Sequence, residues 1–151
     1  LFVFAATLVN QGKNREAEDY LHRAARLEPA NARFYYHLGA LLLRDNRASE
    51  ARTAFEESVR LKPEYAPPHY QLGKILLRSG QPETAARELE TAVHHDPDLA
   101  QAHYQLSRAY ILLGQKEKSA AALAAFGRLK KQETDEDREL LEGMRKEIDA
   151  P

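Results

Sequence analysis

Residues 35–63 read YYHLGALLLRDNRASEARTAFEESVRLKP, and residues 69–97 read HYQLGKILLRSGQPETAARELETAVHHDP. Laid over each other they share Tyr36/Tyr70, Leu38/Leu72, Gly39/Gly73, Ala51/Ala85 and Pro63/Pro97, an offset of 34 residues (97 − 63 = 34). The offset continues outward in both directions: Ala17 and Pro29 precede Ala51 and Pro63, while Tyr104, Leu106 and Gly114 follow Tyr70, Leu72 and Gly80. A self-similarity of period about 20–50 residues marks a repeat array, in which one small supersecondary unit is stacked several times.

Within a unit, Tyr35, Leu38, Gly39 and Leu42 fall at helical spacings of three and four, as do Ala51, Phe55, Ser58 and Val59, so each unit holds two helices. Between the two lie Gly12, Asn46, Gly80 and Gly114, residue types that accept left-handed backbone after a helix end. Pro82 follows directly, at a first helical position where its missing N–H costs nothing. Pro29, Pro63 and Pro97 stop the second helix of their units, because proline disfavours helical geometry in the residue before it.

Gly39 and Gly73 sit inside helices, where glycine costs about 1 kcal/mol relative to alanine. A close approach of the two helices of a unit is expected to offset that cost, with Ala51 and Ala85, twelve residues on, as the facing partners. Ala5 and Ala17 keep the small pair. Ser107 and Ser119 keep its size but add two hydroxyls, which must bond to a backbone carbonyl or to each other.

The pattern Tyr35-x-x-Leu38-Gly39-x-x-Leu42 with Ala51, Phe55 and Pro63, repeated as His69, Leu72, Gly73, Leu76, Ala85, Leu89, Ala92 and Pro97, resembles the tetratricopeptide repeat. The first unit keeps Leu8, Ala17, Leu21, Ala24 and Pro29; the fourth keeps Leu106, Tyr110 and Leu123 but has Lys131 in place of the proline. Units are read as 1–31 (truncated), 32–65, 66–99 and 100–133, within one domain over 1–151. The resemblance implies an all-α fold, a right-handed superhelical α-solenoid of antiparallel helix pairs. Lys131 lets the last repeat helix run on through Arg128-Leu129-Lys130-Lys131. Thr134 with Asp137 then gives a capping-box-like start for a C-terminal capping helix over about 134–149. Its stripe of Leu140, Leu141, Met144 and Ile148 is expected to cover the last repeat. At the other end Phe2, Phe4 and Val9 are expected to lie where a preceding unit would pack.

The 151 residues are 43% hydrophobic and 30% charged, the balance of a folded protein. A formal net charge of -1 supplies no overall field toward nucleic acid or anionic membrane. With no cysteine, a disulfide framework, a CxxC redox site, a thiolate-held zinc and a cysteine nucleophile are all excluded. The apolar opening Leu1–Val9 lacks the basic leader and cleavage pattern of a signal peptide and is too short to span a bilayer. It also lacks a starting methionine, so a piece of a longer protein is expected, soluble, its compartment unassigned.

For binding, the resemblance implies a concave groove lined by the first helix of each unit, usually for an extended peptide or a partner's helix. The family's variable groove positions fall on Arg33, Tyr36, Ala40, Leu43 and Arg44, on Pro67, Tyr70, Lys74, Leu77 and Arg78, and on Gln101, Tyr104, Arg108, Ile111 and Leu112. They hold five basic residues and no acid, which leaves the rest of the chain at -6 (−1 − 5 = −6). A concave surface of one sign focuses potential, so an acidic or carboxylate-bearing partner segment is expected. The tyrosines either supply amphipathic contacts to it or pack between units. The expected peptide-binding set is Arg33, Tyr36, His37, Arg44, Tyr70, Lys74, Arg78, Tyr104 and Arg108. The family's clamp for chaperone carboxylate tails uses a Lys and an Asn in the first unit and an Asn in the second; Phe2, Ala6 and His37 stand there, which rejects that mode.

His94-His95-Asp96-x-Asp98 offers metal-ligand types, but adjacent helical residues point about 100° apart. His69 and His103 share one repeat position and are read as packing residues. No nucleophile elbow, phosphate-gripping glycine loop or HExxH is present, so no enzyme, cofactor or metal is expected. The reading is a scaffold for protein partners. Self-association through the uncovered first repeat and single-stranded nucleic-acid binding in the basic groove are the alternatives.

Overall fold

The computed structural model describes residues 2–148. Among them are eight helices and no strand: α1 (Phe2–Asn10), α2 (Asn14–Leu27), α3 (Ala32–Arg44), α4 (Ala48–Leu61), α5 (Ala66–Arg78), α6 (Pro82–His95), α7 (Ala100–Leu112) and α8 (Lys116–Ile148). The helix starts keep the 34-residue step of the sequence, both in α2, α4, α6 and α8 (48 − 14 = 82 − 48 = 116 − 82) and in α3, α5 and α7 (66 − 32 = 100 − 66).

Each pair turns on one left-handed residue: Gly12, Asn46, Gly80 and Gly114 have φ of 73°, 61°, 69° and 70°. The turn lets the next residue's amide reach back to an orphaned helix carbonyl. Thus Lys13, Arg47, Gln81 and Gln115 donate to the carbonyls of Leu8, Leu42, Leu76 and Tyr110 at 2.9, 2.9, 3.0 and 2.9 Å. At the opposite end Glu28, Lys62 and Asp96, each preceding a proline, take φ of -129°, -143° and -137° with ψ between 70° and 86°, outside the helical region. The chain breaks there and the next first helix starts a few residues on.

The helices of a unit do approach closely at Gly39 and Gly73, but the partner is not the expected alanine. A Cβ on Gly39 would stand 2.7 Å from the Phe55 ring, and one on Gly73 would stand 2.4 Å from Leu89 Cγ. Glycine here admits a large side chain one turn beyond Ala51 or Ala85, and both Phe55 and Leu89 are fully buried. In the fourth unit Ser119 Oγ donates to the Ser107 carbonyl at 3.1 Å, and the two hydroxyls bond each other at 2.9 Å. The buried polar pair is thereby satisfied within the helix pair. Two apolar clusters result, one running from Ala5 on α1 to Ile75 on α5 and the other from Ala86 on α6 to Ala122 on α8.

Both ends depart from expectation. The C-terminal stretch is helical but is not a separate capping helix, since α8 runs unbroken from Lys116 to Ile148. Thr134 is interior to it, its hydroxyl donating to the Lys130 carbonyl at 2.9 Å rather than capping a new start. Leu140 is 65% exposed; the side chains of Leu141, Met144 and Ile148 lie outside the described residues. At the N-terminus Phe4 is 54% exposed and meets Tyr20 edge-on, ring centroids 5.0 Å apart. Val9, expected on the outer face, packs against the core instead. The side chain of Phe2 lies outside the described residues.

Candidate interaction surface

The first helices α3, α5 and α7 carry the expected groove residues in a common register: Tyr36, Tyr70 and Tyr104 are equivalent, as are Ala40, Lys74 and Arg108, and Arg44 and Arg78. Because α5 touches α7 directly, cations in one register are stacked side by side from helix to helix. Arg33, Arg44, Arg78 and Arg108 are exposed and Lys74 is half-buried. Lys74 Nζ stands 5.1 Å from the centre of the Tyr70 ring and donates to Gln71 Oε1 at 3.3 Å. Arg108 reaches Gln105 Oε1 at 3.0 Å.

Among the described residues no carboxylate lies within 4.0 Å of Arg44, Lys74, Arg78 or Arg108. The arginine ion pairs seen there belong to the turns and second helices instead: Arg47 with Glu18 and Glu50, Arg52 with Glu56, Arg60 with Glu57, and Arg138 with Asp135. The first-helix side is electropositive as a consequence, and two titrating groups register it. Burial, and then the charge of Arg78, lower the Lys74 pKa; burial, and then the charge of Arg33, lower that of His37.

The tyrosines are not alike. Tyr36 is half-buried, with its ring centroid 5.9 Å from Phe55 and 5.6 Å from Tyr65, the residue that caps the start of α5. Tyr70 is half-buried and packs against the second cluster, which includes Ala102 and Leu106 of the following unit. Both join units to each other. Tyr104 is 40% exposed, its ring 5.3 Å from Phe126. His37 and Arg44 border a small cavity of about 270 Å³ between α1 and α3, floored by Ala5, Leu21 and Leu41.

Two features escaped sequence reading. His69 is buried, bonded through Nδ1 to Glu88 at 2.7 Å and through Nε2 to the Pro63 carbonyl at 2.8 Å. His103 repeats only the second contact, to Pro97 at 2.8 Å. On the second-helix side an open pocket of about 620 Å³ lies between α2 and α4 over Tyr35, Leu38, Leu42 and Ala54. Ala54 in its lining holds the position that Glu88, the partner of His69, has one unit on (88 − 54 = 34). That contrast was present in the sequence, but its consequence depended on which face each position takes.

Helix pairs stacked along the chain, with cations in one register on α5 and α7, define an α-solenoid interaction scaffold. The sequence profile described as Tetratricopeptide repeat matches residues 2–66, and a second of that description matches 42–102 and 76–138. The chain belongs to the tetratricopeptide repeat family. Comparison with curated proteins returns no match. Among solved structures the crystal structure of MamA is similar with a TM-score of 0.75 at 20% identity, over 87% of this chain and 77% of that one. MamA residues 41 to the end from Desulfovibrio magneticus RS-1 give 0.73 at 29%, over 83% and 71%. YrrB, described as a TPR protein with an unusual peptide-binding site, gives 0.69 at 22%, over 84% and 66%. No helix among the described residues is long and apolar enough to cross a membrane.

Proposed function

We propose that the first-helix face binds an extended, acidic or carboxylate-bearing segment of a partner protein. The observation that carries this is the stacked series Lys74, Arg78 and Arg108 with no carboxylate at ion-pairing distance among the described residues, whereas Arg47, Arg52 and Arg60, at the start of α4 and along it, are ion-paired. Half-buried Lys74 gives the series a partly desolvated centre, where a carboxylate gains more than at a fully wet surface. Family membership supports the protein-binding role, and the charge pattern supports the acidic preference.

The test is anisotropy with a fluorescein-labelled glutamate-rich peptide and its glutamine counterpart, against wild type and Lys74→Glu/Arg108→Glu. Reversing two charges is expected to weaken the acidic peptide at least about tenfold, and wild-type affinity is expected to fall as salt rises. Equal binding of both peptides, or an unaffected double variant, removes this face. Tighter binding of a single-stranded oligonucleotide transfers the site to nucleic acid. The exposure of Val3 and Phe4 favours a second reading, self-association through the first unit, which sedimentation of Phe4→Glu checks: wild type should show concentration-dependent mass and the variant should not.

A further inference from the structure

We propose that the pocket between α2 and α4 is a second docking site, and that it receives a short extended segment of a partner protein in which a basic residue adjoins an apolar one. The pocket, of about 620 Å³, lies within the stack between the first two units rather than on either end. Its lining contains none of the residues of the electropositive face. Leu38, Leu42 and Ala54 form its floor and are buried. Along its wall Glu50, Thr53, Glu57 and Arg60 follow at steps of three and four, on one face of α4. They cover ten residues (60 − 50 = 10), about 15 Å at 1.5 Å per residue. An extended chain covers that length in four or five residues at about 3.3 Å each, so the shape suits a peptide segment.

The equivalent positions of the next unit are closed by a polar link. There His69 and Glu88 stand in the places of Tyr35 and Ala54, and they bond each other at 2.7 Å. In the second unit Ala54 has no group to offer, and the Tyr35 hydroxyl makes no hydrogen bond among the described residues. An apolar floor with one unused hydroxyl beside it is the composition of a binding pocket: most of the contact is apolar, and a few polar groups orient the ligand.

Charge selects the occupant. Four carboxylates line the pocket, those of Glu18, Glu50, Glu56 and Glu57. Arg47 pairs with both Glu18 and Glu50, Arg52 with Glu56, and Arg60 with Glu57. Four carboxylates on three guanidinium groups leave one negative charge (4 − 3 = 1), and it falls at the Glu18–Glu50 end because Arg47 serves two partners there. His22, 3.8 Å from Glu18, adds a positive charge only when protonated. The Glu18 side chain is 20% exposed, so a cation brought to it meets a partly desolvated carboxylate and gains more than at an open surface. A basic residue therefore fits this end, and an apolar neighbour falls on Leu38, Leu42 and Ala54. An acidic segment, the ligand of the first-helix face, is repelled here, so the two sites sort partner segments by sign.

The probe is an acetylated and amidated hexapeptide, Gly-Arg-Phe-Leu-Ser-Gly, titrated into the isotope-labelled full chain and followed by amide chemical shifts. One control peptide carries Gln for Arg, and another carries Ser for both Phe and Leu. The variants are Glu50→Lys, whose site is exposed, and Ala54→Phe, which fills the floor; circular dichroism checks that both fold. The expected result is saturable shifts centred on Leu38, Thr53 and Ala54. Each variant should weaken them at least about fivefold, Lys74→Glu should leave them unchanged, and neither control peptide should saturate them. Absence of saturation, shifts centred elsewhere, a control peptide that binds equally well, or insensitivity to Glu50→Lys overturns the proposal. Pocket shifts that appear with rising protein concentration alone also overturn it, by making a second copy the occupant.

Discussion

His69 shows how much one buried side chain can decide. Both ring nitrogens face acceptors, the Glu88 carboxylate and the Pro63 carbonyl, so two protons are needed to satisfy them. Burial works against the charged ring, but the bonds to Glu88 and Pro63 and the Glu88 charge outweigh it and raise the pKa. A raised folded pKa contributes stability that is complete below the ordinary histidine value of about 6.5 and is lost as pH climbs through the folded one. His37, with its lowered pKa, runs the opposite way, losing stability as pH falls. Comparing wild type with Glu88→Gln isolates His69. Urea unfolding should show a difference of about 1–2 kcal/mol near pH 5.5 that shrinks near pH 8.5; a pH-independent difference would refute the imidazolium. Gly73 makes a second residue-scale case. Gly73→Ala gains helix propensity of about 1 kcal/mol, yet its methyl would stand 2.4 Å from Leu89 Cγ. Overpacking of that kind costs about 1–3 kcal/mol, so net destabilisation is expected. Gly73→Ala/Leu89→Ala should cost less than the sum of its single variants in a double-mutant cycle. That the glycine made room for something was legible from its helical position. Which residue it admits was not, because Ala85 and Leu89 share a helical face and only packing separates them.

At the level of elements, the four turns and three proline stops were readable because each is a local backbone demand: positive φ in one case, exclusion from the helical region in the other. The break expected before Thr134 was not imposed by anything comparable. A Thr-x-x-Asp pattern caps a helix only where the chain has already left helical geometry, and Lys131 to Thr134 contain neither glycine nor proline. Given a continuing helix, the threonine hydroxyl turned back to Lys130. Restoring the proline tests this reading. Lys131→Pro removes a helix hydrogen bond and clashes with the turn before it, at about 3 kcal/mol in a helix interior. The segment beyond it would be cut off from the repeat helix, and helices in proteins draw most of their stability from tertiary packing. Far-UV circular dichroism should therefore lose the signal of up to 18 helical residues (148 − 130 = 18). The melting midpoint of the repeat core should hardly move. A matching loss of core stability would show that the extension is packed.

Considered whole, the molecule is a one-dimensional stack in which each unit gains from its neighbours, so interior pairs hold two interfaces and terminal pairs one. Periodicity made the stack and its electropositive series legible from Tyr36, Tyr70, Lys74 and Arg108. It concealed what happens at the ends: Leu89 is fully buried against Gly73, while the equivalent Leu123, whose unit has Ser107 in place of that glycine, is 49% exposed. The same asymmetry governs local opening, whose free energy ranges from near zero at frayed ends to the global value in the core. Native-state hydrogen exchange should find the slowest amides in α4, α5 and α6, where Phe55, Leu72 and Leu89 join the two apolar clusters. α1, held on one side only, should exchange faster. The sharpest change is expected inside α8: amides around Ser119 and Ala122, whose side chains are buried, should be protected, and those of residues 133–140, nearly all exposed, should exchange orders of magnitude sooner. Uniform protection along α8 would mean that its C-terminal half is clasped by something, and that the stack does not end where its exposed leucines place it.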